Sequence, residues 1–564
     1  MAYINKIFSI LNNKQKKILI VISLISMVLM LLEIIGLSLV YPLVSVVIDP
    51  IKFKDLLSKY DELHFLSELE SKSLIFYIIA LIGLFYLIKI LIQILGNYLK
   101  TKLSNNLAAN IGDMMYNGYL RQPLSFSTEK NSAYIIRNII ELPNQYTNNA
   151  LVNLLLISFE IFFILLAFSL FIAVNKVIGL VTLSLSILFV FLFIFINKKG
   201  IVQYGKSINQ RIAERLKITK ETIEGLKDIN LFKKQSFFKR IFDTHNYKIA
   251  SLLTGLEIRV IFPKYLMEFF GVTFLLSSII FLLVNDYDIN EIIPTLALIG
   301  AGMARIIPSV SRILSFYTRI QAAKFTVDTI FFEKKKFDNI IKNKNIIFKF
   351  EKEIIFNNVS FQYNDKNIIK DLSFSIKKNS IFGIKGKSGS GKTTILNLIS
   401  GFLEPNKGDI IVDDKRIVNN VENWQNLISY VPQKTFFIDD TIKSNICLGL
   451  EEREINYEHL KNAIKLSKAE GFINKLDNGI EQRVGEGGKN LSYGQSQRIA
   501  LARSLYKKPK LLMLDETTSG LDLETEKLII DELTELKKYL TIILVSHRTE
   551  TLKYCDKILN VEDI

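Results

Sequence analysis

The run Gly386-Lys387-Ser388-Gly389-Ser390-Gly391-Lys392-Thr393 spaces its glycines, its lysine and its hydroxyl as a phosphate-binding loop does. The strand-like stretch Ser380–Lys385 precedes it, and an apolar helix-forming run, Ile395 to Leu403, follows. Glycines let successive backbone N–H groups curl around phosphate oxygens, and the helix N-terminus adds its positive dipole end. In that setting Lys392 reaches the β- and γ-phosphates of a nucleoside triphosphate, and the Thr393 hydroxyl ligates Mg²⁺, with Thr394 beside it.

A second element, Lys510-Leu-Leu-Met-Leu-Asp515-Glu516, reads as a buried strand ending in two carboxylates. Asp515 suits the Mg²⁺ shell, and Glu516 suits a general base acting on an attacking water. A strand ending in a solvated acidic turn would look the same in isolation. The pentapeptide Leu491-Ser492-Tyr493-Gly494-Gln495, a short interval upstream, argues against that reading.

Together these segments resemble the ABC transporter family, whose LSGGQ signature precedes a strand with paired carboxylates. The resemblance implies further roles. Tyr363 is similar to the aromatic residue that stacks on adenine, and Gln433 in Ser429-Tyr430-Val431-Pro432-Gln433 to the glutamine that touches Mg²⁺. His547 resembles the switch histidine near the γ-phosphate, Ser519–Asp522 the D-loop, and Val484–Gly488 the x-loop of exporters. Tyr493 departs from the family's glycine, while Ser492, Gly494 and Gln495 remain as the signature's phosphate-facing edge. In this family ATP lies between the phosphate loop of one domain and the signature of another. One copy of each per chain therefore implies a dimer, expected to be of two identical subunits, with a paralogue as the other option.

These parts need a framework, and composition divides it in two. The 564-residue chain is 49% hydrophobic, and its mean hydropathy of +0.26 is high for a wholly soluble protein. Six segments suit a bilayer core about 30 Å thick: residues 18–48, 73–98, 148–174, 177–197, 262–284 and 291–314. The first of these follows Lys14, Lys16 and Lys17 but continues too far for a cleaved signal, so a retained helix is expected. The expected domains are a transmembrane domain at 1–332, a charged linker at 333–349, and an α/β nucleotide-binding domain at 350–564. The fold class that the resemblance implies is a multidomain membrane protein: an all-α six-helix part of ABC exporter type, then an α/β P-loop domain.

Fourteen Lys and Arg in residues 198–261 place that connection in the cytoplasm, whereas Asp286, Asp288 and Glu291 place residues 285–291 outside. Both termini are then expected in the cytoplasm of a multi-pass protein, and the expected location is the bacterial inner membrane. The long connections 99–147 and 198–261 are expected to continue the membrane helices, and Ser125–Ala133 and Glu224–Phe237 resemble exporter coupling helices. Residues 49–72 suggest a short amphipathic helix at the outer surface. The net charge of +16 is explained by these cytoplasmic loops, and no nucleic-acid partner is expected. Cys447 and Cys555 form no CxxC pattern, and the four histidines are scattered, so neither a disulfide framework nor a protein-bound metal centre is implied.

Charges inside spans point to cargo, because each costs about 2.5–3.5 kcal/mol at the bilayer centre. Lys89, Lys264, Arg305 and Arg312 form a possible basic cavity for an anionic head group, while Glu33, Glu160 and Glu268 offer the plainer alternative of internal ion pairs. The segment Met303–Ile313, the Glu33 segment with Leu39–Pro42, and the chain length resemble bacterial lipid-linked oligosaccharide flippases of the PglK type. That resemblance implies a polyprenyl-pyrophosphate glycan as cargo, moved from the cytoplasmic to the outer leaflet, with membrane lipids as surroundings. A peptide or bacteriocin exporter and a multidrug or lipid exporter are the alternatives on the same fold. An ATP-gated channel fits less well with the complete hydrolytic set that ends in Glu516.

Overall fold

A computed structural model describes residues 2–48, 50–57, 70–122, 126, 130–174, 176–284, 289–340, 347–363, 366–387, 389–517 and 523–561. The chain forms two compact units, residues 1–122 with 127–340, and residues 123–126 with 341–564.

The first unit is helical. Its elements are α1 (Ala2–Ile10), α2 (Asn13–Ser38), α3 (Val40–Ile48), α4 (Pro50–Leu57), α5 (Ser71–Leu120) and α6 (Ser132–Ile140). Then come α7 (Val152–Val174), α8 (Lys176–Glu224), α9 (Leu226–Leu231), α10 (Gln235–Val284), α11 (Ile289–Ala322) and α12 (Lys324–Ile340). Helices α5, α8 and α10 run 50, 49 and 50 residues. At 1.5 Å per residue, about 75 Å of α5 far exceeds a bilayer core of about 30 Å.

Several expected boundaries are corrected. The segment 18–48 is not one helix: it breaks at Leu39 between α2 and α3. A π-helical turn, Tyr146–Leu151, leads into α7 at the start of the segment expected over 148–174. Residues 333–340 are not linker but the last two turns of α12. They are held there by packing: Phe337 meets Tyr119 of α5 edge-on at 5.1 Å between ring centroids. Glycine at 118 makes room, since a Cβ there would lie 2.3 Å from the Phe337 ring. The remainder of the expected outer helix at 58–69, the connection 285–288, residues 341–346 and, within the expected coupling helix 125–133, residues 125 and 127–129 lie outside the described residues.

Among the described residues, three helices are long and apolar enough to cross a membrane: Asn13–Gly36, Ser71–Leu120 and Leu142–Ser169. A fourth arises if the bent pair Ile187–Phe195 and Gly200–Glu224 is taken as one span. The expected spans at 262–284 and 291–314 run through α10 and α11, and much of both lies outside the side chains described.

The second unit carries two sheets. An antiparallel one has the order β2-β1-β4-β5, from β1 (Glu353–Tyr363), β2 (Lys366–Lys377), β4 (Lys407–Val412) and β5 (Lys415–Arg416). The other has the order β6-β7-β8-β3-β9, from β3 (Ile381–Lys385), β6 (Ile428–Val431), β7 (Leu511–Asp515), β8 (Thr541–Val545) and β9 (Lys557–Asn560). Every pairing in the second sheet is parallel. Strands β7 and β8 are buried throughout, which explains their unbroken apolar sequence, since a central parallel strand is covered on both faces. Trp424, fully buried, ties this core to the helix after the glycine loop by donating its indole N–H to the Ile399 carbonyl (2.7 Å).

Candidate functional site

Parallel sheets present their ligand sites at the carboxyl ends of their strands. Four neighbouring strands here each end in a segment singled out from sequence. β3 leads to Gly386–Thr393, β7 ends at Asp515 and Glu516, β8 leads to His547, and β6 leads to Gln433. Residues as distant in sequence as Lys392 and His547, 155 positions apart, converge for this reason.

The glycine loop enters α13 (Lys392–Ile399) through Gly391 at φ +99°, with Gly389 at φ +81°. Side chains rarely adopt that backbone, and the conformation turns loop N–H groups toward one point. The Lys392 ammonium, 6% exposed, lies inside the curl and donates to the carbonyls of Gly386 (2.9 Å) and Lys387 (2.8 Å). The buried Ser390 hydroxyl has no hydrogen-bond partner among the described residues, so the cradle holds an unused donor. Ser388 lies outside the described residues. Thr394 is buried on the inner side of α13.

Two hydroxyls converge on one oxygen of Asp515. Thr393 Oγ1–H donates to Oδ2 (3.0 Å), and so does the Tyr430 hydroxyl (2.9 Å). Burial pushes the Asp515 carboxyl above the usual range, while the Tyr430 and Thr393 hydrogen bonds and the nearby Lys392 act against that shift. A carboxylate and a hydroxyl side by side are hard oxygen donors, the set that Mg²⁺ takes together with phosphate oxygens. The residues present therefore fit a Mg²⁺-nucleotide. Thr393 and Asp515 would hold the ion, and Gln433 stands close by.

Glu516 sits at φ +51°, a constrained backbone for glutamate, and its side chain is clamped. His547 Nε2 lies 2.6 Å from Oε1, and Gln433 Nε2–H donates to Oε2 (2.9 Å). Lys392 Nζ is 3.7 Å from Oε1 and 3.2 Å from His547 Nε2. One ring nitrogen cannot accept from Lys392 and donate to Glu516 together. Because Lys392 already donates to two carbonyls, the short contact is His547 Nε2–H donating to Glu516.

Tyr363 ends β1, 37% exposed and edge-on to Phe361 (4.8 Å between ring centroids). The signature opens α14 (Tyr493–Tyr506). Ser492 and Gln495 form a capping box: the Ser492 hydroxyl accepts from Gln495 N–H, and Gln495 Oε1 accepts from Ser492 N–H (2.9 Å). Gly494 follows in the first turn. Among the described residues, the side-chain hydrogen bonds of Ser492 and Gln495 stay within this cap. Two contributors were not evident from sequence. They are Tyr430, and the buried Gln497, which donates to the Gln433 carbonyl (2.9 Å). Tyr430 sits within the Ser429–Gln433 segment and Gln497 two residues past the signature, where their neighbours draw the attention. The segment Ser519–Asp522 lies outside the described residues.

The candidate cargo residues behave otherwise. Lys89, 3% exposed, pairs with Glu33 (3.0 Å). Arg312 makes a two-pronged pair with Glu160, Nε to Oε1 at 2.6 Å and Nη2 to Oε2 at 3.1 Å. Lys264 faces Glu268 one turn on (3.9 Å), and the Arg305 side chain lies outside the described residues. The three described cations are thus paired with acids and do not form an open basic cluster. A cavity of about 410 Å³ nevertheless lies among α2, α5, α7 and α11, with Glu33, Gln93, Asn97, Lys100, Glu160 and Arg312 among its polar lining.

Comparison with known proteins gives two family matches: ABC transporter transmembrane region over residues 18–301, and ABC transporter over residues 369–519. A Haemophilus influenzae protein described as a probable ABC transporter ATP-binding/permease protein is 28% identical, over 64% of this chain and 65% of its own. An ATP-dependent lipid A-core flippase of Francisella tularensis is 31% identical, over 60% of this chain and 56% of its own. The chain thus covers less than two thirds of the length of these curated relatives. Among solved structures, a bacterial Atm1-family ABC exporter with ATP bound superposes with a TM-score of 0.80 at 20% identity, over 95% of this chain and 93% of its own. The fold is the type IV ABC exporter fold, a helical transmembrane region followed by an α/β nucleotide-binding domain.

Proposed function

We propose, from the premise that this chain belongs to the ABC transporter family, that it is an ATP-driven exporter that flips a lipidic cargo across the membrane. The observation that carries the reading is the convergence of Lys392, Thr393, Asp515, Glu516, His547 and Gln433 at the ends of four adjacent parallel strands.

In that reading, the loop N–H groups and Lys392 receive the triphosphate, and Tyr363 stacks on the base. Bound Mg²⁺ supplies neutralisation of phosphate charge. Glu516 takes the proton of the attacking water, held in aim by Gln433 and His547. Ser492, Gly494 and Gln495 serve a second, identical subunit's nucleotide, since their cap leaves the edge of α14 free for an incoming phosphate. Coupling passes through the connections around 125–133 and α9, with both termini in the cytoplasm of a bacterial inner-membrane protein.

The finer proposal for cargo is a polyprenyl-pyrophosphate-linked oligosaccharide moved outward. The likeness to a lipid A-core flippase supports a lipid cargo in general. The carboxylate pairing of Lys89 and Arg312 favours a second reading, a peptide or neutral amphiphile, because both cations are already engaged.

Proteoliposomes test both. Polyprenyl-pyrophosphate oligosaccharide should become accessible on the far leaflet in an ATP-dependent manner, and Arg305→Ala should slow this. No acceleration over empty vesicles would favour the peptide or neutral-amphiphile reading. Glu516→Gln should retain nucleotide binding and lose hydrolysis by about 10²–10⁴-fold. Normal turnover in that variant would remove Glu516 from its role.

A further inference from the structure

Lys100 lies on α5 beyond the apolar run 73–98, at i+7 from Gln93 and i+3 from Asn97, so the three share one face. All three line the cavity. Gln93 is engaged, its amide donating to Glu33 (2.7 Å), and Arg312 is engaged by Glu160. Lys100 has no carboxylate within ion-pairing distance among the described residues and feels Glu160 only through space. Asn97 likewise makes no side-chain hydrogen bond among them. One ammonium and one amide, adjacent on a helix face, are therefore available at the edge of a closed network of ion pairs.

We propose that Lys100, with Asn97, is the anchoring point in this cavity for the phosphate of an amphiphile, and that Lys89 and Arg312 are not. The proposal rests on the lipid-cargo reading above and names the contact at that site. An incoming anion that bound Arg312, whose side chain is half exposed, would have to compete with the two-pronged contact to Glu160. At Lys100 no pair is broken. A lysine ammonium is a point charge, which suits a tetrahedral phosphate and gives no advantage to a planar carboxylate. The apolar lining from Leu29, Met30, Leu156, Phe159 and Phe163 suits the start of a hydrocarbon tail. The volume of about 410 Å³ admits a head group and not a whole oligosaccharide.

The test uses the full chain in detergent, with ADP saturating the glycine loop, titrated calorimetrically with farnesyl pyrophosphate, farnesol and inorganic pyrophosphate. Farnesyl pyrophosphate should bind saturably, and Lys100→Ala should weaken it by about tenfold or more. Lys100→Arg should restore binding. Lys102→Ala, whose ammonium lies over the Tyr98 ring (5.9 Å) and off the cavity, should match wild type. Glu160→Gln should tighten binding by releasing Arg312, a change opposite in sign to damage from misfolding. Inorganic pyrophosphate binding as well as the lipid would mark the phosphate alone as the recognised group, and farnesol should not bind. Unchanged affinity in Lys100→Ala would overturn the assignment while leaving the lipid-cargo reading in place. No binding of farnesyl pyrophosphate by wild type would overturn both.

Discussion

At Asp515 two hydroxyls share one carboxylate oxygen, and only one of them, that of Thr393, belongs to the glycine loop. Tyr430 is the other. Its hydroxyl holds the Asp515 carboxylate, so Tyr430→Phe should leave the sheet intact while loosening the oxygen proposed to hold Mg²⁺. A hydrogen bond to a charged group contributes about 1.5 kcal/mol, which corresponds to about tenfold in affinity. The half-saturating Mg²⁺ concentration should rise by that order, and ATP binding measured without Mg²⁺ should not change. Burial also makes the Asp515 charge unfavourable in the folded state. With its folded pKa above the unfolded value, the carboxyl's contribution to stability is fully present below about pH 4 and is lost as pH rises through the folded pKa. Asp515→Asn should therefore raise the thermal midpoint at neutral pH in Mg²⁺-free buffer. That gain should shrink as the buffer is taken toward pH 4.

Between elements, close approach dictates what can be changed. Helix α8 passes α11 so closely at Gly205 that a Cβ would lie 2.0 Å from the Ala322 carbonyl oxygen. Backbone cannot yield as a side chain does, so Gly205→Ala should destabilise the helical unit by about 1–3 kcal/mol, read as a lower midpoint in detergent. The same logic explains what the sequence made legible. A phosphate cradle demands glycines, a lysine and a hydroxyl at fixed spacing, so Gly386–Thr393 could be read directly, as could the apolar strand ending in Asp515. The helical course of residues 333–340 and the pairing of Lys89 with Glu33 could not. Each depends on a partner from another element: Phe337 needs Tyr119 across α5, and Lys89 needs a carboxylate 56 positions away. The role of Tyr430 was hidden for the same reason, because its partner lies 85 positions on.

For the whole molecule, the proposed pairing of one chain's glycine loop with another chain's signature would make activity a property of two chains. Mixing wild-type chains with Glu516→Gln chains before reconstitution should lower hydrolysis faster than in proportion to the wild-type fraction, if both composite sites must turn over. A strictly proportional fall would mean that the sites work independently.

The order of the parallel sheet also bears on how the molecule is made. Strand β3, which launches the glycine loop, is hydrogen-bonded on one side to β8 and on the other to β9. A ribosome that has finished the loop must still reach Val545 before the first neighbour exists and Asn560 before the second. Until then the cradle's own strand has two open edges, and sequence-distant pairing of this kind is slow and exposed to misassembly. Nascent chains arrested before Thr541 should fail to be retained on immobilised ATP, whereas chains arrested after Asn560 with a linker long enough to clear the exit tunnel should be retained.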